Sequence, residues 1–290
     1  MDRIKWLVIL LLMALCLQGC SSTDEPEEPV ETSRPPEPSV SVYAATGMNN
    51  PGLRKNEYAA EAFGEENGFI VYDGVKGKSH IGIDVSSHQR EIDWMQVAGT
   101  GVEYAMIRVG YRGYETGNLN LDQRFTENVE EALGAGVDVG VYFFSQAVNA
   151  EEAGQEAAQV IEWIKDYEIT YPVVFNWEPI SDSPARTDGV KSETVTQCAK
   201  AFCRVVEEAG YIPMVYFNKS QGYSVMNLAE LKDYHFWLAE YTDIPKFRYH
   251  FEMWQYSYTG TVAGISLPVD LSVCFVTYPE AWEKTKSTED

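Results

Sequence analysis

An apolar run that opens at Pro172 closes on Asn176-Trp177-Glu178. On a strand, residues 176 and 178 share a face, so an amide and a carboxyl would point at one substrate. Similar runs end on Asp84 with Ser86 and Gln89 beyond it, on Tyr142, Phe144 and Gln146, on Tyr216 and Asn218, on Glu240 and Tyr241, and on Trp254 and Gln255. Asp270 stands at an end of one more. Carboxyls among aromatic rings suit a carbohydrate. Breaking a glycosidic bond needs a protonated carboxyl at the leaving oxygen and negative charge beside an oxocarbenium-like transition state. Aromatic faces, in turn, hold the apolar faces of sugar rings.

Other chemistries lack their parts. His80, His88, His235 and His250 are scattered singly, and no His/Cys cluster has metal-ligand spacing. There is no Gly-rich phosphate loop and no Gly-x-Ser-x-Gly elbow. No metal or organic cofactor is implied. A net charge of -22 argues against a nucleic-acid partner, which requires Lys/Arg patches, and suits a solvated extracellular protein. Cys198, Cys203 and Cys274 are an odd set after Cys16 and Cys20, so no complete disulfide framework is implied and they read as small buried apolar residues.

Residues so far apart in sequence need a scaffold that gathers strand ends. Strands are expected at Ile81–Val85, Tyr104–Val109, Val137–Phe144, Pro172–Glu178, Pro213–Asn218, His235–Tyr241, Phe251–Tyr256 and Val269–Phe275. Helices are expected at Asp122–Ala135, Ala150–Tyr167, Lys191–Ala209 and, shorter, near Ser224–Leu231. Near-continuous apolar strands alternating with amphipathic helices indicate a parallel sheet. This many strands suggests an α/β barrel with its site at the C-terminal strand ends. The last strands lack long helices between them, so the helical ring would be incomplete. A doubly wound open sheet is the alternative.

Gly82-Ile83-Asp84-Val85-Ser86-Ser87-His88-Gln89, followed by Ile92-Asp93-Trp94, resembles the opening of glycoside hydrolase family 25, the Chalaropsis-type lysozymes (N-acetylmuramidases). Further matches follow in order. They are Asp122, Phe125 and Asn128; Ala135-Gly136-Val137 with Gly140, Tyr142 and Phe144-Ser145; Pro172 to Glu178; Phe236 to Tyr241; Met253 to Ser257; Gly260, Val262 and Gly264-Ile265; and Val269-Asp270-Leu271-Ser272. The resemblance implies a modified TIM-like barrel with five β/α units and three additional strands. It implies Glu178 as general acid, Asp84 and Asp270 as acids at the floor, and Tyr142, Tyr216, Trp254 and Gln255 as substrate-binding residues. The implied activity is cleavage of the β-1,4 bond between N-acetylmuramic acid and N-acetylglucosamine, with peptidoglycan glycan strands as partner.

One position departs from the family. Its Asp-x-Glu reads Asn176-Trp177-Glu178 here. Asn is isosteric with Asp but uncharged, and it donates as well as accepts. It can hydrogen-bond an acetamido group and cannot neutralise a cation. Losing one preorganised electrostatic contact costs roughly 10²–10³ in rate. A weakened enzyme, an enzyme leaning on Asp84 and Asp270, and a peptidoglycan-binding protein without catalysis are the three outcomes left open.

The N-terminus has its own pattern. Arg3 and Lys5 precede an unbroken apolar run from Trp6 to Leu17, then Gln18-Gly19-Cys20. The run is short for a membrane span, which takes roughly 20 apolar residues, and suits a secretory signal. The ending resembles a bacterial lipoprotein signal, which implies removal of residues 1–19, lipidation of Cys20 and attachment to the outer side of the cytoplasmic membrane, facing the wall. Ser21 to Pro38 is rich in Pro, Glu and Ser, too polar to order itself, and reads as a disordered tether. Val40 to Lys78 reads as loosely ordered linker with a short helix near Tyr58–Phe63. The expected division is thus signal 1–19, anchor and Pro/Glu-rich linker 20–77, and barrel 78–290.

Overall fold

The computed structural model of the chain describes residues 52–278, apart from 76 and 182. The signal segment, Cys20 and the expected tether lie outside these residues. In chain order the strands are β1 (Phe63–Glu66), β2 (Phe69–Gly74), β3 (Gly77–Lys78), β4 (His80–Val85), β5 (Tyr104–Arg112), β6 (Leu119–Leu121), β7 (Asp138–Ser145), β8 (Val173–Trp177), β9 (Pro213–Asn218), β10 (His235–Ala239), β11 (Met253–Gly260) and β12 (Val269–Cys274). The helices are α1 (Trp94–Gly99), α2 (Phe125–Gly134), α3 (Ala150–Ile164), α4 (Ser192–Glu208) and α5 (Lys219–Ser224).

Eight strands close into a barrel in the spatial order β4-β12-β11-β10-β9-β8-β7-β5, with β5 pairing back onto β4. That closure excludes the open sheet. Seven of the eight run parallel, and β12 is antiparallel to both its neighbours. A helix follows each of β4, β5, β7, β8 and β9, and β10, β11 and β12 complete the wall, so the fold is five β/α units plus three strands. The helix expected near Ser224–Leu231 is replaced by α5 and a single 3₁₀ turn at Leu228–Glu230, because the Asn218 side chain caps α5 earlier, accepting from the Gln221 backbone N–H.

Strand alternation sorts the core into two sets. One lines the barrel interior: Tyr104, Met106, Tyr142, Val174, Tyr216 and Trp237 among others. The other lies between barrel and helices and takes in the inner faces of α2 (Phe125, Val129), α3 (Ala157, Val160) and α4 (Ala199, Phe202). Two glycines make room for the interior rings. A Cβ on Gly82 would stand 2.1 Å from the Tyr104 ring, and one on Gly140 would stand 2.7 Å from Met106. Cys198, Cys203 and Cys274 are buried and unbridged.

The expected loose linker gives way, over its described part, to a small antiparallel sheet of β1, β2 and β3. Its hairpin turn is Asn67-Gly68, both at positive φ (53° and 85°), which is the signature of a two-residue type I′ turn. A 3₁₀ turn at Ala60–Ala62 stands where the short helix was expected. This sheet packs on the barrel wall where β10–β12 supply no helix. Tyr58 stacks on Phe275 at 3.9 Å between centroids, Phe63 meets Trp254 edge-on at 5.6 Å, and the Tyr256 hydroxyl accepts from the Ile70 N–H at 3.2 Å.

Candidate active site

The pairing register decides which side chains enter the mouth of the barrel. Asp84 pairs with Met106 and with Asp270, and Met106 belongs to the interior set, so both carboxyls face inward. Asn176 pairs with Tyr216, again an interior residue. Ala239 pairs with Gln255, which brings that amide inward. Glu178 lies just beyond the end of β8 and is partly exposed, and continued strand alternation puts it on the side of Asn176. Glu178, Asn176, Asp84, Asp270, Gln255, Tyr142 and Tyr216 therefore meet at one end of the barrel. The two tyrosines are almost buried and form its floor.

Gln255 is the hub. Its Nε2 donates to both oxygens of Asp84 and to Oδ2 of Asp270, each at 3.0 Å. Its Oε1 accepts from the hydroxyls of Tyr216 (3.1 Å) and Tyr241 (2.8 Å). One amide thereby holds two carboxylates side by side and ties them to two phenols. Gln255 itself is buried, so it positions the acids.

The segment carrying the acid is clamped on both flanks. Gln221 Nε2 donates to the Trp177 carbonyl and Gln146 Nε2 to the Glu178 carbonyl, both at 2.8 Å. Gln146 is held in turn: Oε1 accepts from Thr187 Oγ1, and its carbonyl accepts from Arg186 Nη1, both at 2.8 Å. Arg186 also pairs with Glu152 at 2.7 Å, and that hydrogen bond holds the Glu152 carboxyl below its ordinary range. Asn176 is 7% exposed, and its Oδ1 is buried with no hydrogen-bond partner among the described residues. A buried acceptor left unmet costs about 1–3 kcal/mol, and a substrate N–H would relieve it.

The Glycosyl hydrolases family 25 profile matches residues 83–265, most of the barrel and more than half the chain. The chain belongs to glycosyl hydrolase family 25. Lysozyme M1 of Streptomyces globisporus is 28% identical over 202 residues, covering 65% of this chain and 65% of that protein. Among solved structures, the modular autolysin LytC from Streptococcus pneumoniae superposes with a TM-score of 0.59 at 25% identity over 73% of this chain. A family 25 glycosyl hydrolase from Bacillus anthracis superposes with a TM-score of 0.58 at 21% identity, over 70% of this chain and 92% of that one. The chain spans about half of LytC, 52% of its length.

Within this family 25 barrel, one expected site residue is elsewhere. Trp254 is 0% exposed and belongs to the outer set, because its neighbour Gln255 takes the inward position. Its Nε1 donates to the Glu240 carbonyl at 2.8 Å, and its ring packs under the N-terminal sheet. Glu240 is also no part of the mouth. It is fully buried, pairs with Lys219, and accepts from the N–H groups of Lys246 and Phe247, so it anchors the loop after β10. Gln146 and Tyr241 stand at strand ends that the sequence marks, but their positioning roles, like that of the unmarked Arg186, depend on partners far along the chain. Among the described residues no group of three or more His, Cys, Asp or Glu is disposed to hold a metal ion.

Proposed function

We propose that the chain is a peptidoglycan hydrolase of the lysozyme type, cleaving the β-1,4 bond between N-acetylmuramic acid and N-acetylglucosamine. The observation that carries this reading is the convergence of Glu178, Asn176 and the Asp84–Gln255–Asp270 cluster at one barrel end. Glu178 gives its proton to the leaving oxygen as the C1–O bond breaks. The paired carboxylates supply negative charge to the oxocarbenium-like transition state. Asn176 takes the acetamido N–H on its unmet Oδ1 and so orients that group toward C1. Water completes the hydrolysis, returning a proton to Glu178. The test is incubation of the full chain with purified cell walls, with mass analysis of the fragments. N-acetylmuramic acid at the new reducing ends supports the assignment, whereas N-acetylglucosamine there, or peptide cleavage alone, overturns it.

The second reading is a wall-binding protein with little or no catalysis, and the neutral amide at position 176 is the observation that favours it. Retained binding to wall sacculi with no fragment release would establish it. On either reading, we propose that Cys20 carries a lipid anchor that holds the barrel outside the cytoplasmic membrane. Cys20→Ala should release the protein from membranes or block its processing, and unchanged membrane fractionation would refute the anchor.

A further inference from the structure

Tyr258 is 55% exposed, the one aromatic among the large apolar side chains exposed in the described residues. Its position follows from an irregularity in β11. Up to Gln255, odd-numbered residues of β11 face the barrel interior and even-numbered ones, Trp254 and Tyr256, face the N-terminal sheet. The ladder with β12 then slips. Gln255 pairs with Ser272, but Ser257 pairs with Leu271, two steps on β11 against one on β12. Leu271 belongs to the outer set, so Ser257 is turned outward. The ladder slips again between Ser257 and Gly260, and between the two irregularities Tyr258 turns to the side of Tyr241, at the mouth. There it lies against Tyr241, centroids 4.8 Å apart and planes at 46°. Tyr241 is the phenol that donates to Gln255 Oε1 at 2.8 Å, the same amide that holds Asp84 and Asp270. Bulges beside active sites re-aim side chains in this way.

We infer that Tyr258 and Tyr241 form an outer sugar subsite, a stacking platform at the β10–β11 rim for the apolar face of a pyranose ring in a glycan strand whose neighbouring unit occupies the carboxylate cluster. The inference rests on the glycan-hydrolase reading above. The rim position fits a polymer rather than a small sugar. A single ring over Gln255 and Asp270 needs nothing further out, whereas a strand continuing over the rim meets an exposed phenol braced by a second one. Tyr241 has its hydroxyl committed inward, so its ring is held and little side-chain freedom is lost when a sugar docks.

The test compares the full chain with Y258A and Y258F on purified glycan fragments of increasing length and on intact wall sacculi. Because Tyr258 is exposed, its truncation is tolerated by the fold. Y258A should lower the preference for long over short fragments, the ratio of their kcat/KM values, by about tenfold, the size of one aromatic stacking contact. Y258F, which keeps the ring, should retain the preference. An unchanged length preference in Y258A overturns the subsite. Binding of wild type and Y258A to sacculi is measured in parallel, so that an inactive wild type still gives an answer. Weaker binding by Y258A supports the platform without catalysis. Equal binding by both overturns the platform alone, and no binding by wild type overturns both the platform and the glycan-hydrolase reading.

Discussion

Asp84 and Asp270 stand directly opposite one another across the antiparallel pair of β4 and β12, where two like charges would repel unless something lies between them. The Gln255 amide does, donating to both. Gln255→Leu keeps the volume and removes the donor. The variant should lose about 10²-fold in kcat, the usual effect of removing one preorganised polar contact, and should also melt at a lower temperature. Near wild-type turnover on walls would mean that the two acids need no such bridge.

Glu178 is the expected proton donor, and Gln146 and Gln221 hold the backbone on which it sits. Glu178→Gln removes the proton and keeps the shape. Fragment release from walls should fall to background while the thermal melt stays close to wild type. Gln146→Ala should act through position alone, lowering kcat by about tenfold with binding to sacculi retained. A Glu178→Gln variant that keeps most of its lytic rate would remove the acid from the mechanism.

Much of this arrangement is legible in the sequence because parallel barrel strands are covered on both faces and read as continuous apolar runs. β9 emerges with the expected bounds, and the strand-end residues Asp84, Asn176, Gln255 and Asp270 face the mouth, while Asn218 caps α5 and Glu240 anchors a loop. Alternation tells which residues share a face but not which face is inward. That is why Trp254, beside Gln255, reads equally well as a site aromatic until pairing with Leu238 places it outside. The N-terminal sheet hides for a different reason. β1 and β2 are short, and their Asn67-Gly68 hairpin signal sits in a stretch without clear period, where folding depends on contacts with Trp254, Tyr256 and Phe275. Tyr258 reaches the mouth only through a bulge that no local pattern announces.

If Trp254 packs rather than binds, its truncation reports on stability. Trp254→Ala should destabilise the fold by about 3–5 kcal/mol, read as a lower denaturation midpoint. Below that midpoint the affinity for sacculi should match wild type. Lost affinity in a variant of unchanged stability would return Trp254 to the groove.

Glu252 lies at the opposite end of the barrel, where its carboxylate accepts from the Phe236 N–H at 2.9 Å and pairs with His250 at 3.1 Å. Burial alone would raise its carboxyl. Together, the hydrogen bonds from His250 and Phe236 and the nearby His235 outweigh burial and hold it below its ordinary 4.5. A carboxyl lowered in the folded state contributes stability above its unfolded value and loses it as pH falls through the folded one. Glu252→Gln should therefore cost about 1–3 kcal/mol at neutral pH. The gap to wild type should close as the pH is lowered below 4.5 and through the folded-state value. Denaturant melts across that range measure it, and a gap independent of pH would contradict the assignment.

Asn176 is where the chemistry is most open to test. Its side chain is nearly buried two residues before Glu178, with Oδ1 unmet by any described residue. Asn176→Asp would place an anion there without changing the shape. If the neutral amide limits the reaction, turnover should rise by about tenfold or more, since charge at this position acts on the transition state. KM should change little, because the gain belongs to the transition state and not to ground-state binding. The new carboxylate would also face the Asp84–Asp270 pair, and crowding of like charges favours protonation, so the optimum of the pH–rate profile should move. A fall in turnover, or an unchanged rate in an enzyme already active, would show instead that the amide is matched to its substrate, with Oδ1 serving the acetamido N–H and no cation requiring an anion at that place.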